Sequence, residues 1–167
     1  IKQILYNVPS RTACDLLPNS VEILSKHSNI VGIKEAIDKK ERIKQLIDIS
    51  KNVSKNFYVF SGDDPTFMES LNIGADGVIS VAANVIPKSI SDICKFISAS
   101  NNQAANSLND FNTNLYKLLF VESNPIPVKW MLYKMDLIKQ SIRLPLIELN
   151  ETFHDEVMSE LDKHKLI

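Results

Sequence analysis

The chain predicts an α/β fold: a parallel sheet of about four βα units over residues 1–100, followed by a helical region over residues 101–167. Three observations carry this expectation. Short apolar runs alternate with amphipathic stretches of helical period through the first part of the chain. The apolar runs have no polar face, as strands covered by helices on both sides require. From Asn101 onward strand-type runs cease while helical periodicity continues.

Gln3 to Val8 reads as the first strand, stopped by Pro9, and Pro18 opens a helix that runs to about His27, proline being well suited to a first helical turn. Asn29 to Ile33 is the second strand. Between Lys39 and Ser50, Ile43, Leu46, Ile47 and Ser50 share one helical face, with charges on the other. Phe57 to Ser61 is the third strand. After Gly62, Asp64 is placed to cap a helix with Pro65 in its first turn, Phe67, Met68 and Leu71 inside and Gly74 at its end. Gly77 to Val81 is the fourth strand, and Pro87 opens a helix reaching about Ala99. Beyond it, Leu108, Phe111, Leu115, Leu118 and Leu119 mark one helix, Val128 to Met135 a second and Phe153 to Leu161 a third, with Pro125, Pro127 and Pro145 as breaks.

Composition narrows the function classes. Nineteen basic and twenty acidic residues are spread along the chain, so no polycationic face is expected to attract nucleic acid or anionic lipid. No apolar stretch approaches the ~20 residues needed to span a bilayer, and Ile1-Lys2-Gln3 carries no signal-peptide pattern, so a cytoplasmic protein is expected. Cys14 and Cys94 are far apart and read as free thiols. His27, His154 and His164 have no metal-ligand spacing, so no metal is assigned.

In parallel βα architectures reactive groups gather at the C-terminal ends of strands, where loops vary on a rigid sheet. Lys34 lies at such an end, where lost hydration would lower its pKa and supply a neutral amine to attack a carbonyl. A snorkelling lysine, or an ion pair with Glu35, is the alternative. Tyr6 sits near the end of an apolar strand, where a phenol could move protons; a core tyrosine with one satisfied hydroxyl would look the same. Arg11 follows the turn made by Val8, Pro9 and Ser10, and its planar fork suits a carboxylate, although a solvated arginine is equally compatible. Ser61-Gly62-Asp63-Asp64 carries one glycine and two acids, a poor phosphate loop better explained by helix capping.

Together the segments YNVPSRT from Tyr6, GIKEA from Gly32, SGDD from Ser61, GVISV from Gly77 and FVESNPIPVK from Phe120 resemble the pyruvate-dependent class I aldolase family, in particular its dihydrodipicolinate synthase branch. They occur in family order and cover almost the whole chain. The resemblance implies a TIM barrel, (β/α)8, of which this chain would hold the C-terminal half, strands five to eight. It implies that Lys34 condenses with pyruvate, that Tyr6 is the acid/base tyrosine, and that Arg11 binds the carboxylate of aspartate semialdehyde. Gly62 and Ile79 would complete the pyruvate pocket through their backbone, Ile79 by its carbonyl. The product would be 4-hydroxy-tetrahydrodipicolinate, in lysine and diaminopimelate biosynthesis, made by a homotetramer with no cofactor beyond its lysine. Sialic acid lyases and keto-deoxy-sugar aldolases share fold and lysine, but Arg11 and the NPIPVK segment favour the synthases. At 167 residues the chain is short of a complete barrel of roughly 250, so either a fragment of a longer protein or the product of a broken gene is expected, without the family's threonine-rich loop and second relay tyrosine. Such a half-barrel could also be non-catalytic by itself.

Overall fold

A run of apolar residues becomes a strand here only where a following helix can cover it, and the computed structural model, which describes residues 1–167, shows this pairing repeated along the chain. The elements run β1 (Gln3–Asn7), α1 (Pro9–Thr12), α2 (Pro18–Ser25), β2 (Ile30–Glu35), α3 (Lys40–Asn52), β3 (Tyr58–Ser61), α4 (Phe67–Asn72), β4 (Gly77–Val78), α5 (Pro87–Ser98), α6 (Asn102–Leu118), α7 (Ile126–Lys134) and α8 (His154–Lys163). The four strands form one parallel sheet in the order β1-β2-β3-β4. The fold is therefore α/β with a parallel sheet.

The chain divides into two units. The first comprises Ile1–Ser80 with Cys94–Asn102, the second Val81–Ile93 with Gln103–Ile167. In the first, α2 and α3 cover one face of the sheet, and Val21, Ile33, Leu46 and Val59 are fully enclosed with Ile43 and Phe57 in the core between them. Truncating such a residue, Leu46→Ala for example, costs about 2–5 kcal/mol through lost transfer energy and the cavity left behind. The opposite face is open. Ile4, Tyr6, Tyr58 and Ile79 are each 40–50% exposed, an unusual state for the side chains of a parallel sheet.

The β1–β2 register slips by one at its start: Gln3 pairs with Ile30 but Ile4 with Gly32, so Val31 is passed over. Pairing then runs evenly through Leu5–Ile33, Tyr6–Lys34 and Asn7–Glu35.

In the second unit α6, α7 and α8 bury Leu115, Tyr116, Leu118, Met131, Val157 and Leu161. Trp130 stacks on His154 with ring centroids 4.3 Å apart. No helix is long and apolar enough to cross a membrane.

Several boundaries differ from expectation for physical reasons. β2 continues through Lys34 to Glu35, because ladder pairing with both neighbours persists to that point. β4 is limited to Gly77–Val78, since β3 offers partners only for those residues. Pro9 begins a helical turn rather than ending a strand at a simple bend, with the Arg11 and Thr12 amides both donating to Val8 O. Asp64 does not cap α4. The helix starts later, at Phe67, with Thr66 at its N-cap and no side-chain capping bond; in the turn before it Asp63 accepts from the Thr66 amide at 3.1 Å and from Thr66 Oγ1 at 2.6 Å, while Asp64 is buried.

Candidate active site

Lys34 and Tyr6 are placed by ladder geometry. They are register partners on adjacent strands, so both side chains leave the sheet on its open face. Lys34 Nζ lies 4.5 Å from the centroid of the Tyr6 ring, a cation–π distance. Burial lowers the lysine pKa, the Asp64 carboxylate opposes this, and the Arg11 guanidinium adds to it. Arg11, on α1 just beyond β1, is thus close enough to be felt by the amine.

Gly62 makes room for the lysine. A Cβ at this position would stand 2.7 Å from Lys34 Cε and 3.0 Å from its Cγ, inside van der Waals contact. Its amide donates to Glu35 O at 2.7 Å, which ties the end of β3 to the strand carrying Lys34. Ile79 follows β4, and its amide donates to Ser61 O at 2.9 Å. Lys34, Tyr6, Arg11, Gly62 and Ile79 all belong to the first unit, and Tyr6, Gly62 and Arg11 are the ones that meet or influence the lysine.

Glu35 is not the partner of Lys34. Alternation along β2 sends it to the helix-covered face, where it is 1% exposed and meets Asn7 from β1. Asn7 Nδ2 donates to Glu35 Oε2 at 2.9 Å and Oε1 at 3.1 Å, and to Asp15 Oδ1 at 2.8 Å, while Asn7 Oδ1 accepts from the Leu16 amide at 2.9 Å. Arg42 on α3 closes the cluster: its Nη2 is 2.6 Å from Asp15 Oδ2 and its Nη1 3.7 Å from Glu35 Oε2. Burial pushes the Glu35 carboxyl up, against the Asn7 amide, the Ile37 amide and Arg42; Asp15 is held down, chiefly by its hydrogen bond from Arg42. Sequence reading missed Asn7, Asp15 and Arg42. The one signal available was Asn7 itself, an amide beside Tyr6 at the end of an apolar run, where burial demands polar partners.

No three His, Cys, Asp or Glu side chains gather where they could share a metal ion, and both cysteines are free. The arrangement combines a partly desolvated amine, a phenol against it, a neighbouring guanidinium and backbone carbonyls at strand ends. Such a set can condense with a carbonyl compound and move a proton beside the resulting imine.

Comparison with known proteins gives a consistent set of relatives. The model of the Dihydrodipicolinate synthetase family matches residues 1–164. The 4-hydroxy-tetrahydrodipicolinate synthase of Pseudomonas aeruginosa is 51% identical over 155 residues, 93% of this chain and 52% of that protein. The synthase of the same name from Nitrosococcus oceani is 46% identical over 167 residues, covering 100% of this chain and 56% of the relative. Among solved structures, a chloride-inhibited dihydrodipicolinate synthase from Acinetobacter baumannii, complexed with pyruvate, superposes with a TM-score of 0.93 at 44% identity, over 100% of this chain and 56% of the other. The chain spans about half the length of the curated relatives it matches.

Proposed function

The chain belongs to the dihydrodipicolinate synthetase family, and from that premise we propose that it supplies the Schiff-base lysine of an enzyme condensing pyruvate with aspartate semialdehyde to 4-hydroxy-tetrahydrodipicolinate. The observation that carries this is the register pair Tyr6–Lys34, which sets a phenol against a partly desolvated amine on the open face of the sheet.

The neutral Lys34 amine adds to the keto carbon of pyruvate, and loss of water gives the imine. Its electron withdrawal acidifies the adjacent methyl group. Tyr6 accepts that proton, or relays it, and the enamine carbon forms a bond to the aldehyde carbon of the second substrate, whose oxygen is then protonated. Arg11 holds that substrate's carboxylate by a charge-assisted fork. The substrate's own amine displaces Lys34 and closes the ring. The backbone around Gly62 and the Ile79 carbonyl complete the pyruvate pocket, and the missing Cβ of Gly62 leaves room for the lysine. No cofactor beyond the lysine is required, and the setting is cytoplasmic lysine and diaminopimelate biosynthesis.

The four strands correspond, in this reading, to strands five to eight of a (β/α)8 barrel, with residues 101–167 as its C-terminal helical region, and the complete protein is a homotetramer. An apolar sheet face left 40–50% exposed at Ile4, Tyr6, Tyr58 and Ile79 supports a barrel interior awaiting its other half. The same observation favours a second reading for this chain alone: a half-barrel without efficient catalysis. Arg11 and the segment Asn124 to Lys129 favour a synthase over a sialic acid lyase or keto-deoxy-sugar aldolase. Borohydride reduction of the complete gene product in the presence of pyruvate tests the assignment. The adduct is expected on the peptide containing Lys34, and an adduct on Lys129 or Lys2 instead would overturn it.

A further inference from the structure

The helix-covered face of the β1–β2 pair holds a device that the reaction scheme does not use. Asn7 and Glu35 each follow a proposed reactive residue, Tyr6 and Lys34, and each points the opposite way from it. Asn7 is 2% exposed, and every polar atom of its side chain is engaged. Its amide nitrogen stands between two carboxylates, Asp15 and Glu35. A neutral double donor suits that position: a leucine would offer no donor and an aspartate would add a third negative charge. Its backbone is engaged as well, the carbonyl accepting from the Ala36 amide at 3.0 Å.

These bonds do two things. Those to Glu35 and Ala36 fix the end of β1 against the end of β2, and so fix the spacing between Tyr6 and Lys34. Those to Leu16 and Asp15 pin the far end of the loop that leaves β1, with Arg42 gripping Asp15 from α3 and donating to Leu16 O at 3.1 Å. Arg11 lies inside that loop, between the pinned ends. We infer that Asn7 is a positioning residue that holds Tyr6, Lys34 and the Arg11 loop in one rigid frame, with Asp15 and Arg42 completing the loop's half of the clamp. This rests on the Schiff-base reading proposed above. Reacting groups must be held to a fraction of an ångström, and misplacement by about 1 Å costs roughly a hundredfold in rate.

The test uses the complete gene product, with Asn7→Ala and Asp15→Asn compared with the unsubstituted protein. Pyruvate trapped by borohydride counts the sites that fold and form the imine, and steady-state turnover is divided by that count. Asn7→Ala should lower turnover per trapped site by about tenfold or more and raise the KM for aspartate semialdehyde. Asp15→Asn, at a partly exposed carboxylate, should raise that KM by roughly three- to tenfold with a smaller change in turnover per site. A merely structural Asn7 would give fewer trapped sites, each turning over at the parent rate and KM, and that result would overturn the inference. If Asn7→Ala yields no folded protein, Asp15→Asn decides: a raised KM supports the clamp, an unchanged KM overturns it. Failure to trap pyruvate on Lys34 in the unsubstituted protein would instead bring down the Schiff-base reading, and this inference with it.

Discussion

The two faces of the β1–β2 pair are built on opposite plans. On the helix-covered face the buried Asn7 and Glu35 and the more exposed Asp15 and Arg42 satisfy one another in a hydrogen-bonded network. On the open face Tyr6 and Lys34 meet through backbone register and a ring-to-amine contact, with Tyr6 50% exposed. One backbone serves both, because alternate residues go to alternate sides. The difference teaches that rigidity and reactivity are separated across a sheet: groups tied into a hydrogen-bond network hold position, and an amine and a phenol outside it keep a lone pair and a proton for chemistry. A substitution on one face should therefore affect chemistry and one on the other should affect stability or geometry.

The largest expected effect lies on the open face. Lys34→Ala in the complete gene product should abolish borohydride-trapped pyruvate while leaving the urea midpoint close to that of the parent; substantial trapping elsewhere would erase the contrast between the faces.

Next comes removal of what would cover that face. Residues 1–167 expressed alone should show negligible turnover, because β1 and β4 each have one unpaired edge and the apolar face stays wet. Cover over that face would deepen the desolvation that already lowers the Lys34 pKa in this chain. Adding a separately made other half should recover activity. Near-native turnover from a monodisperse preparation of the chain alone would show that the open face needs no cover.

On the helix-covered face, Glu35→Ala strands the Asn7 amide and the Ile37 amide, so unfolding in urea should move by about 1–3 kcal/mol while pyruvate is still trapped on Lys34. Arg11→Ala should have the converse signature: little change in stability, with use of aspartate semialdehyde weakened by roughly ten- to a hundredfold and imine formation largely intact. An unchanged response to the aldehyde would reject Arg11 as its carboxylate clamp.

The smallest effect is in pH dependence. Imine formation needs the neutral amine, so its rate climbs with pH and levels above the lowered Lys34 pKa. The Asp64 carboxylate raises that pKa and the Arg11 guanidinium lowers it. Asp64→Asn should shift the rising limb to lower pH, and Arg11→Ala should shift it to higher pH. Single-turnover rates of imine formation across pH check both signs, and shifts in the same direction would contradict the electrostatics.

Much of the framework was legible in the sequence. Periodicity located β2, α3 and the helices of the second unit to within a few residues, because apolar spacing reports directly on which face is buried. The strand ends drew attention to Lys34, Tyr6 and Arg11, and the structure brings these together. The clamp was not legible. Asn7, Asp15, Glu35 and Arg42 are scattered along the chain, and only the parallel pairing of β1 with β2 and the packing of α3 make them neighbours. The capping expectation failed because the turn after β3 runs on to Thr66, so α4 begins at Phe67, beyond the turn that Pro65 suggested. The alternative of an ion pair between Lys34 and Glu35 falls away because alternation in a strand sends neighbours in sequence to opposite faces.

The skipped residue at the start of β2 has a last consequence. If pairing had continued without a slip from Gln3–Ile30, Tyr6 would stand across from Ile33 and Asn7 across from Lys34. Passing over Val31 works as a count of odd and even: it decides which residue of β1 the lysine meets. Inserting one residue between Gly32 and Lys34 would leave composition and apolarity almost untouched yet, with the slip kept, bring Asn7 across from the lysine in place of Tyr6, and removing one there would bring Leu5. The length of this stretch is as much a part of the chemistry as the lysine it carries.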